Sequence, residues 1–444
     1  MPTQDRSQTL VRVLTSPGTL QPTDLSAVLG AGLGGAVRAQ LPEDHLLRGP
    51  LRQQALDLSL RHAHIRAELR PLLAAWAAEG IEALLFKGFA LAEFEYATPG
   101  ERFYGDVDLL LPEDLATVMR AAHIALAHGW RSDGQHADPE LWTHETMHLY
   151  SPDRNVRLDV HRWVIAENTG AGAARLRALT HGFRARARRC DWQGLPVWLP
   201  DPRDAAVLNI ALARSWGGDT GGVKPADYLD LHLLACNHAL SADTLRQHAE
   251  QLGGAATWAA FTQICDPARQ RLVLDIQQTR PIIHAALAAD GLNARRGLWQ
   301  SRALVLRRVI HHLPGALLDV AAAWWALRRS GDPRRPLARW TPLAPPHRLD
   351  ARSVDDRVVA VSWWTRLFYP RQRRLGVCVP RAYATYRSLR RAGHPAVFVS
   401  GVTRAGGGIT GHAWVEDDQG NLEKYNEPEN RQRFKAVFTF PPSA

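Results

Sequence analysis

Two groups of residues in this chain have types and spacing that could do chemistry. Cys378 opens a helix-like stretch, Cys378-Val379-Pro380-Arg381-Ala382-Tyr383, and His412 sits in a strand-like Gly411-His412-Ala413-Trp414-Val415-Glu416. A helix N-terminus lowers a thiol pKa, and an imidazole presented from a strand can take the proton. A third group should then orient the imidazole. Asn426 and Glu427 are both candidates, because a bulge in the intervening turn would shift the alternation that chooses between them. The second group is acidic. Asp106 and Asp108 flank Val107 in a strand pattern, so both carboxylates share a face about 7 Å apart. Carboxylates at that spacing can share divalent cations. Asp159, in Leu158-Asp159-Val160, would be the third acid of a two-magnesium clamp on a nucleoside triphosphate. Lys87 and Arg102 could meet phosphate charge, and Gly88 would let the backbone approach it. Taken singly, an unpaired cysteine is commonly an inert buried thiol, and an acid-x-acid pair a solvated strand face. It is their order along the chain that favours chemistry.

The elements needed to position these groups are legible. Leu51 to Ala78 carries apolar residues at helical spacing, with Pro71 inside it. Ile81 to Phe86 reads as a strand, Lys87-Gly88 as a turn, and Phe89 to Tyr96 as a helix. Asp106 to Leu111 reads as a half-buried strand, followed by a helix through Ala127. Thr146 to Tyr150 and Val156 to His161 form a hairpin pattern. Arg203 to about Leu327 is mostly helical, and Gly331 to Leu349 is a Pro- and Arg-rich linker. Around Cys378 the pattern is a helix ending at Gly393, a strand from Pro395 to Val402, a turn at Ala405 to Gly408, the His412 strand, and a third strand from Leu422 to Asn426. Asp417 and Asp418 read as solvated turn formers. The glycine-rich Gly30 to Gly35 has no preceding strand, so it reads as a loop and not a dinucleotide fingerprint.

At 444 residues the chain should fold as more than one domain. The expected division is 1–295, a helical connector and linker over 296–350, and 351–444. The net charge of +10 is almost all arginine, since the only lysines are Lys87, Lys224, Lys424 and Lys435. That charge suits an anionic partner such as a nucleotide, and no interleaved aromatic and basic stripe points to nucleic acid. Cys190, Cys236, Cys265 and Cys378 are widely spaced, without a CxxC, which predicts neither a disulfide framework nor a zinc site and fits the cytoplasm. The first thirty residues have no apolar core, so no secretory signal is expected. Leu313 to Leu327, interrupted by Asp319, is short for a bilayer span, so no membrane insertion is expected.

Leu85-Phe86-Lys87-Gly88, Arg102-Phe103-Tyr104-Gly105-Asp106-Val107-Asp108-Leu109 and Leu158-Asp159-Val160-His161 resemble the polymerase-beta-like nucleotidyltransferases found near peptide-maturation genes. The resemblance spans about residues 10–290 and takes in Asp227-Tyr228-Leu229-Asp230-Leu231. It implies magnesium at Asp106, Asp108 and Asp159, a nucleoside triphosphate near Lys87, Gly88 and Arg102, and Lys87-Gly88 in place of the usual Gly-Ser phosphate loop. His161 reads as a packed or capping histidine. Cys378-Val379-Pro380-Arg381-Ala382, Leu389-Arg390-Arg391-Ala392-Gly393, Gly401-Val402 and the His412 strand resemble the leader peptidase of lasso-peptide biosynthesis, a transglutaminase-like cysteine protease, over about residues 300–444. That resemblance implies Cys378 as nucleophile and His412 as base, a precursor peptide as substrate, and a separate leader-peptide-binding protein and ATP-dependent cyclase as partners. The expected fold class is α+β: a polymerase-beta-like domain with helical additions, then a transglutaminase-like (papain-like) helix and antiparallel sheet. The implied function is bifunctional peptide maturation. The alternatives are a nucleotidyltransferase whose C-terminal domain only grips peptide, and a non-enzymatic scaffold. Transamidation at Cys378 is a further outcome, since water or an amine can resolve a thioester.

Overall fold

The computed structural model describes residues 3–132, 145–153, 155–166, 171–217, 222–329, 331–341, 347–369, 377–405, 408–417, 420–421 and 434–442. The fold is α+β, in two compact units that divide at Ser301/Arg302. No helix among the described residues is long and apolar enough to cross a membrane.

The first unit is built on a mixed sheet. Its order is Arg131–Ser132, Glu145–Tyr150, Arg157–His161, Val107–Leu110, Leu84–Phe86, Leu195–Leu199 and Arg188–Trp192. The central strands are wholly buried, as strands covered on both faces must be. Helix Arg48–Ala78 packs Ile65, Leu69, Leu72, Leu73 and Trp76 into the sheet's core. The Trp76 indole N–H donates to the Ala121 carbonyl at 2.9 Å, so a large apolar ring is buried without losing its hydrogen bond. A second core lies among the helices, where the π-helical Ala205–Leu212 is buried at every residue.

The glycine-rich 30–35 stretch is a turn only at 31–33, between helices Leu25–Gly30 and Gly34–Gln40 that take in its ends. A Cβ at Gly35 would lie 1.8 Å from the Gly100 carbonyl oxygen. These glycines therefore serve close backbone packing.

In the second unit, helix Cys378–Arg391 buries Ala382, Tyr383, Tyr386 and Leu389 against helices Leu313–Arg329 and Ala351–Phe368. The four-stranded sheet runs Gly420–Asn421, Gly408–Asp417, Val397–Ala405, Lys435–Phe440. The helix at Ala351 and the strand at Lys435 went unanticipated. The stretch expected as a linker carries helix Arg334–Trp340 with a fully buried Leu337. Buried Asp319 is paired with Arg387 and Arg391, which lets an acid sit inside an apolar helix.

Candidate functional site

The acidic site forms where three strands run side by side. Asp108 faces Asp159 across a parallel pairing, and Asp159 faces His148 across an antiparallel one. Alternation sends such a row to one face. Asp106 lies one residue before strand Val107–Leu110, not within it as expected. It still faces the same cavity. Lys87 opens helix Lys87–Phe94 with φ +57°, a left-handed conformation unusual for a side chain-bearing residue and concentrated at functional sites. Its Nζ donates to Asp108 Oδ1 at 2.6 Å and lies 3.4 Å from His161 Nε2. His161, completely buried, is itself 2.9 Å from Asp108 Oδ1. The histidine read as a packing residue does pack, edge-on to Phe86, and it also supports Asp108. Gly88 is needed for packing, since a Cβ there would come within 2.6 Å of the Tyr104 Cβ.

Electrostatics separate the three acids. Burial would raise the Asp108 pKa, but Lys87 and His161 overcome it and hold the carboxyl well below the usual range. Asp106 is raised, by burial and then by the charge of Asp108. Asp159 is pushed up to about 7, by burial and then by Asp106, against the pull of His148 and Arg157. Its two oxygens accept from Arg157 Nε at 2.7 Å and Nη2 at 3.0 Å. Two carboxyls raised by burial and by a neighbouring carboxylate would be relieved by a cation. An all-oxygen donor set suits magnesium.

The three acids, Lys87 and Gly88 line a cavity of about 960 Å³, within the range of roughly 300–1,000 Å³ typical of small-molecule sites. Lys224, Arg214 and Arg102 line it too, and sequence reasoning missed the first two. Lys224, at the start of helix Pro225–Asn237, has its pKa lowered by the charge of Arg214 and then by burial. Arg214 is itself forked onto Asp227 at 2.9 and 3.0 Å. Arg102, expected to meet phosphate, donates from Nε and Nη2 to Asp230 at 2.8 and 2.7 Å, and Tyr96 donates to the same acid at 2.7 Å. Asp230 is buried and Arg102 partly so. The two acids of Asp227-Tyr228-Leu229-Asp230 thus hold the two arginines, and only folding could assign those pairs.

The thiol site has fewer parts. Cys378 is the first residue of its helix and is half-buried. Its pKa is lowered, first by a hydrogen bond with the His412 side chain, helped by the backbone N–H groups of Ala413 and Val379 and opposed by burial. His412 lies on strand Gly408–Asp417, opposite Gly401. Its ring stacks on Trp414 (centroids 5.8 Å apart, 16° between planes) and on Phe434 (5.2 Å, 29°). A Cβ at Gly401 would lie 3.0 Å from Phe434, Trp414 and the Lys435 carbonyl, so only glycine leaves this aromatic support in place. Asn426 and Glu427, Asp418 and the expected strand Leu422–Asn426 lie outside the described residues. Asp417 is no solvated turn former: it ends the His412 strand, and its buried carboxylate lies 3.1 Å from Nε2 of buried His394.

Comparison with known families agrees with this division. Residues 20–266 match the family described as uncharacterised nucleotidyltransferase, and residues 315–439 match the transglutaminase-like superfamily. No curated protein and no solved structure matches the chain. With more than half its length in the first match, the chain belongs to that nucleotidyltransferase family, and it carries a transglutaminase-like domain in the same polypeptide.

Proposed function

We propose that this protein is a bifunctional enzyme of lasso-peptide maturation. Its second unit is a cysteine peptidase that removes the leader from a precursor peptide; its first is a magnesium-dependent nucleotidyl- or phosphoryltransferase. The observation that carries the peptidase reading is the hydrogen bond between Cys378 and His412 at a helix start, with the thiol pKa lowered.

The Cys378 sulfur, its proton passed to His412, attacks the scissile carbonyl and a C–S bond forms. His412 then returns the proton to the departing amine as the C–N bond breaks. A water deprotonated by His412 resolves the thioester, releasing the carboxylate and the free thiol. Asn426 or Glu427 remains the proposed orienting group for His412. A leader-binding protein would present the precursor, and an ATP-dependent cyclase would close the freed core peptide.

In the first unit Asp106, Asp108 and Asp159 would hold magnesium, which supplies charge neutralisation on a triphosphate and activation of the attacking oxygen. Lys87, at the start of its helix, and Lys224 both line the same cavity and suit phosphate charge. Arg102 shapes that cavity through Asp230.

The test is mass spectrometry of a candidate precursor incubated with the protein, a leader-binding partner, magnesium and a triphosphate. Leader loss that disappears in Cys378→Ala is expected. Unchanged processing in that variant would leave the second unit as a peptide grip only. A mass gain on the peptide that depends on Asp106 would identify the transferase acceptor.

A further inference from the structure

Strand Glu145–Tyr150 carries two polar side chains that neither the peptidase nor the three-acid reading uses. In a regular strand, residues 145 and 148 would point to opposite faces. Here the pairing with Arg157–His161 shifts register between Glu145 and Met147. Such a bulge re-aims side chains and is over-represented beside active sites. The burial pattern follows the shift: Thr146 and Met147 are both buried, while Glu145 and His148 are half-exposed. The result is a mixed donor set. His148 Nε2 lies 2.9 Å from Glu145 Oε2 and 3.9 Å from Asp159 Oδ1. One ligand atom from each of the three residues falls within 4.8 Å of the others. Bonds of about 2.0–2.2 Å from a common centre reach ligand atoms up to about 4.4 Å apart, which covers both His148 distances.

We propose that Glu145, His148 and Asp159 form a second divalent-cation site, sharing Asp159 with the three-acid set and selecting a borderline transition metal over magnesium. An imidazole with two carboxylates suits that class, whereas magnesium prefers oxygen alone and keeps its waters. Arg157 holds the Asp159 carboxylate in place, as outer-shell donors do for metal ligands. Glu145 and Asp159 both line the cavity, so an ion can enter from it. The site rests on the transferase reading for its role, not for its geometry: an ion there would sit beside the acids proposed to hold the triphosphate's metal and tune which metal the reaction uses.

The full-length protein titrated with Mn2+ alone, read by electron paramagnetic resonance, tests the site. Bound Mn2+ should show nitrogen coupling from one imidazole. His148→Ala should abolish that coupling and weaken binding at least about tenfold. Asp106→Asn should retain it, and thermal melting would check that both variants fold. Bound Mn2+ without nitrogen coupling, or coupling that survives in folded His148→Ala, overturns the site and leaves the transferase reading standing. Nitrogen coupling in a protein that transfers nothing from any triphosphate supports the site and overturns the transferase reading.

Discussion

The acidic site and the thiol site solve opposite problems. At the thiol site the reactive group is activated from within: His412 and two backbone N–H groups lower the Cys378 pKa, and the ring that does so is clamped by Trp414 and Phe434. At the acidic site charge is unbalanced. Asp108 is neutralised by Lys87, yet Asp106 is raised by burial and Asp108, and Asp159 by burial and Asp106. A cluster of like charges held together by a rigid sheet is poised for something cationic from solution. As proposed, the first arrangement needs no cation from solution, whereas the second needs a metal and a polyanion together. The two sites should therefore fail independently.

The largest effect expected is that separation. Asp106→Asn should lower nucleotidyl or phosphoryl transfer by about a thousandfold or more, leaving alkylation of Cys378 unchanged, while Cys378→Ala does the reverse; such losses are on the scale of groups acting directly on the reaction. Stopped assays on both variants would expose any cross-effect, and a shared loss would break the comparison. Next is Arg102→Ala. It leaves buried Asp230 with one partner fewer and should destabilise the first unit by about 3–5 kcal/mol, seen as an early melting transition.

His412→Ala should change the pH dependence of thiol chemistry. In the native protein the lowered pKa means that iodoacetamide reactivity rises through a midpoint below the ordinary thiol value and falls away on acidification below it. Without the imidazole, burial acts with less opposition and the midpoint should move upward; an unchanged profile would remove His412 from the site. Lys224→Ala should weaken triphosphate binding about tenfold, most clearly at low salt, in calorimetry with magnesium present. The smallest effect is Gly401→Ala, where a methyl crowds three neighbours at 3.0 Å. A loss of about 1–3 kcal/mol should come with slower alkylation of Cys378, because the aromatic clamp on His412 shifts.

Local patterns carried most of the candidate residues. Asp-x-Asp spacing, the hairpin bearing Asp159 and the cysteine at a helix start are read within a few residues of each other. Groups that act from a distance were not legible in that way. Arg102 finds Asp230 across 128 residues and His161 finds Asp108 across 53, and no periodicity encodes such pairs. Glu145 and His148 depend on a bulge, an irregularity that alternation cannot foresee. The Pro- and Arg-rich stretch looked like linker because composition marks breakers, yet Leu337 within it is buried. Asp417 looked like a turn residue because its carboxylate's partner, His394, lies 23 positions away.

Residue order alone therefore determined which side chains could react and which short elements carry them, because helix starts and strand alternation are properties of neighbours. Tertiary structure alone decided which charges are cancelled and which are left standing: Lys87 on Asp108, Asp230 on Arg102, His412 on Cys378. Coulomb energy and desolvation depend on distance and burial through space, and both exist only once the chain has closed on itself.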